Sequence, residues 1–194
     1  MIRPVIAIIL AALILFGAAW GLNGLAEKNA QAYHLELMQM LLPGSESFAL
    51  EPYAGEDANI RSVHKAENGF VVETVTYGYA GDITMLIGVN KEGRVTGLVI
   101  QEAHETFGLG SRALNDHVFL AQFLNGEGNF AVATADADAF SGATGTVEET
   151  GDTVDVDGIS GATVTSKAIV RCVNSAVAYV TGADASSSAT EWGG

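Results

Sequence analysis

GFVVETVTYGYAGDITMLIGVNKEGRVTGLVIQE, residues Gly69 to Glu102, decides the fold. Its runs Gly69 to Thr76, Ile83 to Val89 and Val95 to Glu102 are rich in β-branched and apolar residues. Ala80-Gly81-Asp82 and Lys91-Glu92-Gly93 break them where tight turns belong. A shorter run, Ser62 to His64, precedes them across Glu67-Asn68-Gly69. The spacing predicts an antiparallel meander of four strands.

Outward from the meander the periodicity turns helical. Residues 111 to 124 place Leu114, Val118, Phe119 and Phe123 at helical spacing, and residues 164 to 181 carry Ile169, Val173, Ala176, Val177 and Val180 on one face. Upstream, residues 29 to 42 place Tyr33, Leu37, Met40 and Leu41 on one side before Pro43-Gly44 ends the run. Ala133 to Asp157 is rich in Ala, Gly, Thr and acids, and reads as an exposed excursion with a short strand near Val154 to Val156. The tail from residue 183 to 194 lacks the apolar content to order itself.

The chain has 194 residues, 48% of them hydrophobic, which suits one core with appendages. Nine Lys and Arg against 23 Asp and Glu give a net charge of -14, which excludes a nucleic-acid partner of the usual kind and disfavours attraction to anionic lipid. The single cysteine, Cys172, can form neither an internal disulfide nor a cysteine-based metal cluster, and its place in the last helix reads as a small buried hydrophobe.

Val5 to Ala26 contains no charged residue and is long enough to cross a hydrocarbon core of roughly 30 Å as a helix. A cleaved signal peptide is the alternative, with Arg3 as its positive end and small residues from Gly17 to Gly21, but such apolar regions usually run only about 7 to 15 residues. Trp20 suits an interface, and Arg3 weakly favours an N-terminus inside the cell membrane with the acidic remainder outside. The expected organisation is a stub at 1–4, a transmembrane helix at 5–26, a linker helix and loop at 27–59, one α+β domain with a mainly antiparallel sheet and flanking helices at 60–182, and the tail.

The chemistry concentrates in Asp157-Gly158-Ile159-Ser160-Gly161-Ala162-Thr163-Val164-Thr165-Ser166, immediately before the last helix. A helix start offers unpaired amide donors and the positive end of a dipole, which together suit a phosphate. The plainer alternative is that Ser160 or Thr163 caps the helix.

This stretch resembles the Asp-x-x-(Ser/Thr)-Gly-Ala-Thr signature of the covalent FMN-binding domain, found in the G subunit of the Rnf ferredoxin:NAD oxidoreductase and in the C subunit of the sodium-pumping NADH:quinone reductase. In that family the last threonine of the signature carries FMN through its phosphate, so the resemblance implies Thr163. It also implies a flavin transferase that reads Asp157 and Ser160 as part of its motif, with Gly161, Ala162, Thr165 and Ser166 around the acceptor. His104-Glu105-Thr106-Phe107-Gly108-Leu109-Gly110 resembles the family's His-x-Glu-Thr-Pro-Gly-Leu-Gly loop, which packs around the flavin. Here Phe107 replaces the proline and one residue is missing after His104. Tyr77-Gly78-Tyr79-Ala80-Gly81-Asp82-Ile83 is similar to the family's Gly-Tyr turn, although tyrosines at a hairpin are usually packing.

Asp138-Ala139-Phe140-Ser141-Gly142-Ala143-Thr144 repeats the signature, so Thr144 is a rival acceptor. Two features favour Thr163: an apolar-faced helix follows it, and Thr165-Ser166 matches the usual continuation, whereas Glu148 and Glu149 follow Thr144. No catalytic dyad, metal-ligand cluster or Walker loop is visible, so the chemistry would be the cofactor's. The resemblance implies an electron-relay subunit of an ion-translocating ferredoxin:NAD oxidoreductase, partnered by other membrane redox subunits. The quinone-reductase C subunit and a stand-alone exported flavoprotein remain family alternatives, and an anchored binding or sensor domain without covalent flavin is the reading from another class.

Overall fold

A computed structural model describes residues 16, 26–108, 110–133 and 153–182 of the chain. The expected span 5–26 therefore lies outside the described residues apart from Phe16 and Ala26, as do Leu109, Thr144 and the tail. Among the described residues no helix is long and apolar enough to cross a membrane. The chain divides into two compact units, Met1–Leu37 and Met38–Gly194. Helix α1 covers residues 26–41.

The second unit is built on a five-stranded sheet in the order β1-β2-β3-β4-β5: Ala49–Glu51, Ile60–Lys65, Gly69–Tyr77, Asp82–Asn90 and Val95–Ala103. Every neighbouring pair is antiparallel, so the expected meander is present, with β1 added at its edge. The α+β class and the mainly antiparallel sheet are as expected. A second, two-stranded sheet pairs β6, Asn129–Ala133, with β7, Thr153–Asp157, in parallel. The short strand expected near Val154 to Val156 is β7, and its partner β6 was not foreseen.

Strand β4, paired on both sides, is buried without interruption from Ile83 to Val89, because both faces of the sheet are covered there. On one face Ile83, Met85, Ile87 and Val89 join Val63 and Val72 in the main core with helix α4, Thr163–Thr181. On the other, Val71 and Leu86 pack with Met38, Leu41 and Leu42. Gly88 and Gly97 face each other in the β4–β5 register, and a Cβ on Gly88 would lie 2.3 Å from the Leu41 carbonyl oxygen. The glycine pair thus lets the backbone of Leu41 lie against the sheet, where Thr96 donates a hydrogen bond to its carbonyl. The burial also corrects the phase expected for α1: Met38 is buried and Met40 is 60% exposed.

The helix expected over 111–124 is two short ones, α2 at Gly110–Asn115 and α3 at His117–Ala121. Asp116 separates them, since its carboxylate accepts from the amides of Val118 and Phe119, each at 3.0 Å, and caps α3. Phe119 and Phe123 are buried, whereas Val118 is 78% exposed, contrary to its expected place on the apolar face. Phe119, Phe123 and Phe130 form an edge-to-face chain with centroids 5.4 and 5.2 Å apart, which ties α3 to β6.

Helix α4 buries Ala168, Ile169, Cys172, Val173 and Ala176 against the sheet and ends at Gly182, whose φ of 70° gives a left-handed cap. Burial pushes the Cys172 thiol up from its ordinary value, and Thr76 lies 3.4 Å from its sulfur, so the residue is a core group and not a redox thiol. Asn174, also buried, brackets the backbone of β6: its side chain accepts from the Phe130 amide and donates to the Phe130 carbonyl, both at 2.9 Å. Replacing Asn174 by Ala leaves two buried backbone groups unpaired, and should lower the free energy of unfolding by about 2–4 kcal/mol. A loss below about 0.5 kcal/mol in urea unfolding, the range of an ordinary surface substitution, would show that this bracket contributes little.

Candidate functional site

The turn that enters α4 and the first turn of that helix form one wall of an open cleft of about 340 Å³, lined by Tyr79, Gly110, Gly161, Ala162, Thr163, Val164 and Thr165. Three separated stretches meet here: the turn between β3 and β4, the start of α2, and the signature ahead of α4. The N-cap of α4 is Ala162, with no side-chain cap hydrogen bond. That removes the plainer reading in which Ser160 or Thr163 caps the helix. The first intrahelical bond runs from the Ser166 amide to the Ala162 carbonyl at 2.9 Å, so the amides of Thr163, Val164 and Thr165 precede the helical ladder at the cleft wall.

The hydroxyls of the signature divide by exposure. Ser160 and Thr163 are exposed, whereas Thr165 and Ser166 are fully buried. Ser166 is occupied internally, its hydroxyl accepting from the Ile159 amide at 3.2 Å, and this bond holds the turn to the helix. Gly161 makes the turn with a φ of 79°, and a Cβ there would meet nothing within 4 Å. Its requirement is therefore conformational and not steric. Asp157 ends β7 with its side chain exposed, and Gln122 pairs with its backbone, accepting from its amide at 2.7 Å and donating to its carbonyl at 3.2 Å. Nothing in the sequence pattern marks Gln122 for that role.

The loop after β5 is only partly brought to the cleft. Gly110 lines it, and Glu105 stands just behind, accepting from the Tyr79 amide at 2.7 Å. Gly108 has a φ of 82° and donates through its amide to Ser111, whose own amide donates to the Thr106 carbonyl. Thr106 is exposed and Phe107 is 96% exposed, and neither lines the cleft. His104 lies away from it as well, its backbone packed over Gly81 and its ring 3.7 Å from Glu102. Tyr79, only faintly marked in the sequence, is a wall of the cleft.

An open cleft beside an uncapped helix start, with a solvent-facing hydroxyl at the first helical position, defines a binding domain suited to a phosphorylated ligand. The FMN-binding domain model matches residues 78–154 and 147–178, which include this whole wall, and the chain belongs to that family. Among curated relatives, the G subunit of the proton-translocating ferredoxin:NAD(+) oxidoreductase complex of Clostridium ljungdahlii is 34% identical over 112 residues, covering 58% of this chain and 53% of that protein. The G subunit of the Na(+)-translocating complex of Acetobacterium woodii is 32% identical over 110 residues, covering 56% and 47%. Its counterpart in the ion-translocating oxidoreductase complex of Methanosarcina acetivorans is 32% identical over 157 residues, covering 75% and 73%. The chain spans about half the length of the first two relatives.

The left-handed turn gives a direct test. Replacing Gly161 by Val should destabilise the domain by about 1–2 kcal/mol, and replacing it by Asn by clearly less, because asparagine tolerates positive φ. Equal losses in thermal unfolding would contradict the conformational account of this position.

Proposed function

We propose that this chain is an electron-transfer subunit of an ion-translocating ferredoxin:NAD oxidoreductase complex, carrying FMN esterified through its phosphate to Thr163. The observation that carries the reading is the placement of Thr163: exposed, first in α4, and beside amides with no side-chain cap in the wall of the cleft. The residues present fit the group. A phosphodiester at Thr163 would keep its negative charge next to the helix amides, and Gly161 and Gly110 allow backbone to approach a planar ring.

Among the described residues, those that line the cleft form no other reactive set, which supports the following division of labour. Bound FMN would supply one- and two-electron redox chemistry. The chain's own residues attach and orient it: Thr163 as the covalent point, the Thr163 to Thr165 amides for the phosphate, and Tyr79 and Val164 as exposed apolar surface at the rim. Cys172, buried and held protonated, takes no part.

Partners would be the other redox subunits of the complex, as the relatives' names suggest for those proteins, and a flavin transferase for maturation. The uncharged run Val5 to Ala26 supports a single membrane anchor, with the flavin domain on the extracytoplasmic side. Between the two copies of the signature, the one at Asp157 to Thr163 is favoured because it opens a helix with a buried apolar face.

Co-expression with a flavin transferase should yield a denatured chain that fluoresces in a gel and is heavier by FMN less water. Thr163→Val should abolish both signals, while Thr144→Val should leave them intact. An unmodified wild-type mass under these conditions would overturn the covalent reading, and loss of modification in Thr144→Val alone would move the acceptor to the other copy.

A further inference from the structure

Two buried oxygens beside the cleft have no hydrogen-bond partner: Oε2 of Glu105 and Oγ1 of Thr165. Buried polar groups are nearly always paired, so two orphans flanking one site call for a physical reason. Both border the same space, the one left by the missing side chain of Gly110. A Cβ built on Gly110 would lie 2.1 Å from Glu105 Oε2 and 2.7 Å from Thr165 Oγ1. The other carboxylate oxygen, Oε1, accepts from the Tyr79 amide, and a Cβ on Gly78 would lie 1.9 Å from it. The carboxylate thus occupies space vacated by two glycines: it bonds the Tyr79 turn and lies over Gly110 at the start of α2, on the side where the hydroxyl of Thr165, the third residue of α4, also approaches.

We infer that Glu105 is the positioning residue of the cleft, clasping the Tyr79 turn to the start of α4 with Gly110 as the spacer between its carboxylate and Thr165. It does not itself line the cleft. Its action passes through Tyr79 and Gly110, which do. The two oxygens differ: Oε1 is committed to Tyr79, while Oε2 is unpaired beside Gly110, near which the equally unpaired Thr165 hydroxyl has a proton to give. A small approach of α4 towards α2 would pair the two orphans and narrow the cleft, while withdrawal leaves both unpaired. Leaving such groups unpaired is costly for stability alone, which is the pattern expected where geometry serves a site.

The test has one arm that is independent of flavin and one that rests on Thr163 being the acceptor. In the full chain, hydrogen exchange at the Tyr79 amide should speed up roughly five- to tenfold in Glu105→Ala, and stay within about twofold of wild type in Glu105→Gln, which keeps an acceptor oxygen. In chain matured by the transferase, Glu105→Ala should still gain the FMN mass, but the fluorescence anisotropy of its tethered flavin should fall towards that of a freely rotating group, with Glu105→Gln restoring it. Unchanged Tyr79 exchange in Glu105→Ala, or unchanged anisotropy in a chain that carries the flavin, would overturn the clasp. A wild-type chain that never gains the mass would count against the flavin reading, and the exchange arm would still decide the role of Glu105.

Discussion

The burial of α4 against the sheet governs the rest of the site. Ala168, Ile169, Cys172, Val173 and Ala176 face the core, and Asn174 locks the helix to β6 through the backbone of Phe130. With the helix axis fixed by that face, the position of its first turn follows. The turn emerges beside Tyr79 and Gly110 because β7 delivers the chain there and Ser166 holds Ile159 back onto the helix. Thr163 is exposed whereas Thr165 and Ser166 are not: with about 3.6 residues per turn, Thr165 lies nearly opposite Thr163 on the packed helix and is buried, and Ser166 turns its hydroxyl back to the Ile159 amide.

Magnitudes explain why such a site would need a covalent bond. Attraction of an anion to a helix start is worth about 0.3–2 kcal/mol, less than about thirtyfold in affinity. The chain carries a net charge of -14, which works against retaining another anion. An open cleft with a few apolar contacts and a helix dipole can orient a phosphorylated ring, but would hold it weakly. A phosphodiester to Thr163, as proposed, would separate retention from orientation, leaving the amides and the proposed clasp at Glu105 to do only the second.

Much of this was legible in the sequence, and the exceptions have physical causes. The meander and α4 were readable because their apolar periodicity is long and is bounded by glycine turns. β1 was not, since Ala49–Glu51 is three residues long with Leu50 exposed. β6 was not, since its pairing with β7 is parallel and spans a long insertion, which no local pattern encodes. The break between α2 and α3 was readable in principle, because Asp116 is a good N-cap, but the apolar spacing through Leu114 and Phe119 masked it. At the site, the signature occurs twice, offering Thr163 and its rival Thr144, and only the copy ending at Thr163 lies within the described residues. The roles of Tyr79, Gly110 and Gln122 depend on stretches far apart in the chain, and only the folded arrangement assigns them.

The most direct measurement is peptide mapping of the transferase-matured chain. Cleavage after glutamate at Glu148 or Glu149 separates the two copies of the signature, placing Thr144 and Thr163 on different peptides. The account predicts that the FMN increment is found on the peptide that begins after Glu149, with fragmentation assigning it to Thr163. An increment confined to the peptide that ends at Glu148 or Glu149, or absent from both, would contradict it.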